Sequence, residues 1–105
     1  FYKLLMYVVF SLLNSKVDTE VKSVLGRADV VIKTKNDIYV LELKVDDSVD
    51  NALAQIDSKG YAIPYEADGR AITKCGVTIS SDARNITHWR AVDKDGNVID
   101  EQKYE

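Results

Sequence analysis

The chain has 105 residues, of which 46% are hydrophobic and 30% charged, and this composition predicts one compact globular domain. The formal net charge of -3 argues against a strong stand-alone DNA binder, because proteins that grip duplex DNA usually present a basic face. The single cysteine, Cys75, excludes an internal disulfide and favours a reducing, cytoplasmic setting.

Residues 1–13 predict a helix that is apolar on every side. The segment is shorter than the roughly 20 residues that a membrane span needs, and it lacks the basic leader of a signal peptide, so we expect no membrane association. The side formed by Tyr2, Met6, Val9 and Leu13 is expected to contact a partner domain or a second copy in a homodimer. Because the chain begins with Phe, we interpret it as a piece of a longer protein.

Three strands are predicted next, over residues 17–24, 27–34 and 38–45. Residues 35–37 predict the hairpin loop between the second and third strands. The third strand contains a continuous apolar run, which is typical of a strand covered on both faces.

Ser48 predicts the N-cap of a second helix over residues 49–61, which Gly60 and Pro64 bring to a close. Strands follow at residues 71–80 and 86–92, and residues 100–105 read as a loose polar tail. The predicted fold is α/β, with the order α-β-β-β-α-β-β and a mixed central sheet flanked by helices.

The residues that indicate chemistry lie on the second and third predicted strands. Strand side chains alternate between faces, so Glu42 and Lys44 share one face, and the hairpin brings Asp29 beside them. Glu42 lies in an apolar strand, where an unpaired charge is costly to bury, so a bound cation is the natural compensation. An exposed salt-bridge cluster is the competing interpretation.

A magnesium ion prefers oxygen ligands, which Asp29, Glu42 and the backbone carbonyl of Leu43 would supply. Lys44 would lie beside the metal-bound water, to orient or deprotonate it or to stabilise charge on the phosphate. Arg27, with Lys33 and Lys35, is a candidate phosphate contact, and a solvated strand edge is the alternative.

This pattern of an Asp, a hairpin and then Glu-x-Lys resembles the PD-(D/E)XK nuclease superfamily. The resemblance spans residues 1–92, which we take as the nuclease-like domain, with residues 93–105 as a C-terminal turn and tail. One branch of the superfamily is especially similar, namely the C-terminal nuclease-like domain that follows an AAA-ATPase-like domain in bacterial, notably Bacteroidetes, proteins. The segments that carry this similarity are residues 26–32, 41–44, 52–56 and 59–61.

The resemblance implies a restriction-endonuclease-like fold and a Mg²⁺- or Mn²⁺-dependent nuclease, with DNA as the expected substrate. It implies metal ligation by Asp29 and Glu42, a catalytic Lys44, and a Gln55 that faces the active site. Tyr61 matches a recurrent tyrosine and is a candidate substrate contact.

The superfamily often takes another acid from its first helix, which residues 1–14 lack. Either that acid lies before Phe1, or Glu20 replaces it, or the metal site is weak. The missing acid and the net charge favour an alternative, in which the domain is a weak or inactive appendage of an ATPase-like protein. The intact Asp29, Glu42 and Lys44 favour the enzyme.

Overall fold

The computed structural model describes residues 1–13, 29–83 and 85–104. It has the predicted α/β fold, and the strand predicted at residues 17–24 lies outside the described residues. The elements are helix α1 (Tyr2–Leu13), strands β1 (Asp29–Lys33) and β2 (Asp37–Val45), helix α2 (Val49–Ser58), a 3₁₀ turn (Ile63–Tyr65), and strands β3 (Ala71–Ser80), β4 (Asn85–Asp93) and β5 (Val98–Lys103).

The five strands form one mixed sheet in the order β1-β2-β3-β4-β5. The β1–β2, β3–β4 and β4–β5 pairs are antiparallel, and β2 and β3 are parallel. Parallel neighbours need a crossover connection, and α2 supplies it by packing on one face of the sheet. The predicted mixed sheet flanked by helices is therefore confirmed.

Strand β2 is the centre of the core, since its residues from Ile38 to Leu43 are all buried. Ile38 and Val40 pack on the α2 side with Ile56. Leu41 and Leu43 pack on the opposite side, where α1 contributes to the core. The predicted strand that is covered on both faces is confirmed.

Helix α1 faces the sheet with the side that the sequence predicted to contact a partner domain or a second copy. Met6 and Val9 are 5% and 3% exposed, and they pack in the core of this same chain. Tyr2 stacks on Trp89 with 5.2 Å between ring centroids, which helps to orient the helix. The prediction was wrong because both sides of α1 are apolar, so periodicity alone could not tell which side meets the sheet. Among the described apolar side chains of α1, Leu4 and Tyr7 are exposed, and Phe1 just before the helix is exposed as well.

Within the described ranges, no helix has the length and apolar character needed to cross a membrane.

Helix α2 begins where it was predicted, because the Ser48 hydroxyl accepts a hydrogen bond from the backbone N–H of Asn51 at 3.1 Å. It ends at Ser58, three residues earlier than expected, with Lys59 as C-cap. Gly60 then takes a positive φ of 66°, a conformation that glycine adopts without the steric cost of a Cβ, and the chain leaves the helix.

The segment expected to be a loose tail is instead an edge strand. Strand β5 pairs with β4 in a register that sets Glu101 opposite Arg90 and Lys103 opposite His88. All six of its side chains are exposed, and the polar residues 100–103 suit a strand at the edge of a sheet. A polar composition was therefore misread as a lack of structure.

Candidate active site

The sheet face beneath α2 carries an acid on each of two neighbouring strands. Asp29 of β1 is directly opposite Glu42 of β2 in the antiparallel register. Directly opposed residues lie on the same face, with Cβ atoms about 4.5–5.5 Å apart. The register therefore brings these two predicted site residues to the same place on the sheet.

Glu42 is buried to an unusual degree for a carboxylic acid, with 1% of its surface exposed. Gly76 of β3 occupies the next position across the sheet. A Cβ added at Gly76 would lie 2.9 Å from the backbone oxygen of Val49, so the bare glycine allows α2 to approach the sheet closely beside Glu42. Helix α2 thus helps to shield the acid from solvent.

Lys44 connects the buried acid with the helix. Its Nζ atom lies 4.0 Å from Oε1 of Glu42, and it donates a hydrogen bond to Oε1 of Gln55 on α2. The Lys44 side chain keeps 26% of its surface exposed, so it lies at the boundary between the interior and the solvent. The structure therefore brings together Glu42, Lys44 and Gln55, beside the position of Asp29.

Glu42 supplies one carboxylate suited to a divalent cation, and Asp29 holds the register position of a second. Mg²⁺ is commonly bound through one or two carboxylates, with water and substrate oxygens completing its shell. The Leu43 side chain packs in the core on the α1 side. It has no atom that binds a metal, so only the backbone carbonyl of Leu43 is a candidate ligand. Across the part of the chain that the structure describes, no group of three or more His, Cys, Asp or Glu side chains surrounds a common point.

Three further candidates remain, of which the structure describes Tyr61. Tyr61 is half-buried and packs against the apolar cluster of Ile38, Val40 and Ile56. Arg27 and Glu20 lie outside the described residues.

Cys75 is fully buried in the core, and burial raises the pKa of its thiol to about 12. A buried thiol that stays protonated at neutral pH is a packing residue and not a nucleophile.

A network of charges on β4 and β5 was not predicted. Arg90 Nη1 lies 2.5 Å from Oδ1 of Asp50, and Arg90 Nε donates to Oε2 of Glu101 at 2.9 Å. His88 Nε2 lies 2.6 Å from the same Glu101 oxygen. Hydrogen bonds with His88 and then Arg90 lower the pKa of the Glu101 carboxyl. No sequence signal indicated this network, because Glu101 was placed in the tail.

Comparison with known proteins places these observations in a family. The family model described as "PD-(D/E)XK nuclease superfamily" matches residues 1–89. A protein of Azotobacter chroococcum mcd 1, named "Uncharacterized protein in vnfD 5'region", is 33% identical over 88 residues. The similarity covers 82% of this chain and 17% of that protein, so the chain spans a small part of its relative's length. No solved structure matches the chain.

Proposed function

The chain belongs to the PD-(D/E)XK nuclease superfamily, and on that premise we propose that it is a metal-dependent nuclease that hydrolyses phosphodiester bonds. The observation that carries the proposal is the placement of Glu42. This acid is 1% exposed, faces Lys44 at 4.0 Å, and shares its sheet face with Asp29. A buried acid in a central strand does not improve packing, so a role in chemistry accounts for it better than a role in stability.

In this proposal, Asp29 and Glu42 hold a divalent cation, Mg²⁺ or Mn²⁺. A bound cation of this kind polarises phosphoryl oxygens and lowers the pKa of a coordinated water. Lys44 presents its ammonium group from the same sheet face, where it can orient the attacking water or stabilise charge that develops on the phosphate. Gln55 accepts a hydrogen bond from Lys44 and fixes the position of the ammonium group.

A cleavage assay tests the proposal. The chain is incubated with labelled single-stranded and duplex DNA and with RNA, in Mg²⁺, in Mn²⁺ and in EDTA. We expect the parent chain to cleave DNA with metal and not with EDTA. Glu42→Gln and Lys44→Ala should each lose cleavage. Glu101→Gln, the same change at an acid on the far edge strand, is the matched control and should keep it. Retained cleavage in Glu42→Gln would refute the assignment of the site.

The second candidate is a non-catalytic module within a longer protein that also carries an N-terminal ATPase-like domain in the cytoplasm. Two observations support it: the chain covers only 17% of the Azotobacter protein, and its net charge is -3. The exposed Phe1, together with Leu4 and Tyr7 of α1, offers a surface for contact with another part of such a protein. A parent chain that binds nucleic acid but cleaves none of the substrates would favour this candidate.

A further inference from the structure

Helix α2 keeps its negative charges on one flank. Its two acids each pair with a cation of the sheet: Asp50 with Arg90 of β4 at 2.5 Å, and Asp57 with Lys74 of β3 at 2.6 Å. Both pairs lie on the side of the helix that faces β3 and β4. On that flank the cations of the sheet are therefore neutralised by the helix.

The opposite flank of α2 faces β2 and carries no acid within the helix; Asp47, which interacts with the charge of Lys44, precedes the first turn. Gln55 identifies the flank that faces β2, because its side chain accepts a hydrogen bond from Lys44 of β2. Lys59 follows four residues later, and residues four apart lie on the same side of a helix. Lys59 is the exposed C-cap of α2, so its charge stands on the same side as the proposed active site.

A second cation stands on the neighbouring edge strand. Lys33 of β1 lies four residues after Asp29, so both positions are on the same face of the sheet. This spacing places them about 13 Å apart along the strand. The exposed ammonium of Lys33 lies 5.1 Å from the ring centroid of Tyr65, which is on the α2 side of the sheet. Asp68 also interacts with the charge of Lys33. Its carboxylate is already paired with Arg70, whose Nε lies 2.5 Å from Oδ1 of Asp68.

We propose that this flank, defined by the cations Lys44, Lys59 and Lys33, is the track along which a nucleic-acid strand lies as it leaves the active site. The inference rests on the proposed function and specifies the surface that the substrate uses. A phosphate backbone is attracted by cations and repelled by acids, and positional phosphate contacts come mainly from Lys and Arg. The separation of charges on α2 gives the chain a locally positive path despite its overall charge of -3.

Three variants with the same change in net charge test the track. Lys59→Gln and Lys33→Gln each remove one cation from it. Lys103→Gln is the matched control, because Lys103 is exposed on β5 at the opposite edge of the sheet. Binding of a fluorescently labelled oligonucleotide is measured by anisotropy over a salt series in EDTA, where cleavage is not expected. Thermal melts verify that each variant is folded.

We expect Lys59→Gln and Lys33→Gln to weaken binding severalfold and to reduce the slope of log affinity against log salt by about 1 each. Lys103→Gln should bind as the parent does. Equal losses in all three variants would show unspecific attraction and would overturn the track while leaving the proposed function intact. A parent chain that neither binds nor cleaves nucleic acid would overturn both.

Discussion

Lys44 on β2 donates a hydrogen bond from its Nζ to the side-chain oxygen of Gln55 on α2. A lysine ammonium has three donors, and this bond uses one of them. A neutral amide partner fixes the ammonium group without cancelling its charge, in contrast to a carboxylate. Helix α2, the crossover between the two parallel strands, therefore has a direct role in positioning the proposed catalytic lysine.

Replacement of Gln55 by Ala should slow cleavage with little effect on folding. The lost hydrogen bond involves a charged group, and such bonds contribute about 1.5–3 kcal/mol, so kcat should fall by roughly ten- to a hundredfold. KM should change little, since the bond orders Lys44 and does not itself hold the substrate. Gln102→Ala, at an exposed position on β5, is the control. A raised KM with unchanged kcat would contradict this positioning role.

Glu42→Gln should separate function from stability. It removes a charge from a 1% exposed position while it preserves size and shape, so the metal-free variant should melt at the same temperature as the parent or higher. Mg²⁺ should raise the melting temperature of the parent and of Lys44→Ala, but not that of Glu42→Gln. Thermal melts with and without Mg²⁺ give the comparison. A strongly destabilised metal-free Glu42→Gln would instead identify a structural ion pair with Lys44.

Gly76→Ala should destabilise the fold and disturb the site together. The new methyl group would meet the Val49 oxygen at 2.9 Å and the Ala52 Cβ at 3.1 Å, and overpacking of this kind costs about 1–3 kcal/mol. The helix must move away from the sheet, which shifts Gln55 relative to Lys44. Urea unfolding measures the free energy, with Ala71→Val as a control at an exposed position of the same strand. Parental stability and cleavage in Gly76→Ala would show that α2 relaxes freely.

The charge network on β4 and β5 predicts a specific dependence of stability on pH. His88, and then Arg90, lower the pKa of Glu101 below its ordinary value of 4.5. The folded protein therefore binds fewer protons at this carboxyl than the unfolded chain does. The resulting stability is present above pH 4.5 and is lost as the pH falls through the lowered folded pKa.

Urea unfolding of the parent and of Glu101→Gln should accordingly differ at neutral pH and converge as the pH falls through the lowered folded pKa of Glu101. Glu66→Gln, at an exposed acid outside the network, should track the parent over the whole range. A difference that grows on acidification would have the wrong sign and would exclude Glu101 as its source.

The arrangement of the site was accessible from the sequence because strand parity and hairpin length are local properties. The parity of Glu42 and Lys44 depends only on their spacing, and the short loop at residues 34–36 dictates which residue of β1 opposes Glu42. Whether Asp29, Glu42, Lys44 and Gln55 bind metal and substrate stays a prediction that the experiments above address.

The features that were missed depend on contacts between distant parts of the chain. The side of α1 that meets the sheet is chosen by its fit to aromatic residues such as Trp89, which no helical period reveals. The strand nature of β5 depends on its pairing with β4, since only its first two residues are apolar and residues 100–103 are polar. Gly76 offered the one usable signal, because a glycine inside an apolar strand often marks a close approach of backbone.

The pairing of β5 with β4 also determines how short the domain can be made. The family match ends at residue 89, yet the Trp89 ring nitrogen donates to the Tyr104 hydroxyl at 3.3 Å, and the Tyr104 backbone N–H donates to the Thr87 carbonyl at 2.9 Å. A protein truncated after residue 92 would turn β4 into an unprotected sheet edge and open the surface around Trp89. Exposed edges of this kind promote strand addition between molecules, so such a truncation would favour aggregation over a soluble, smaller nuclease domain.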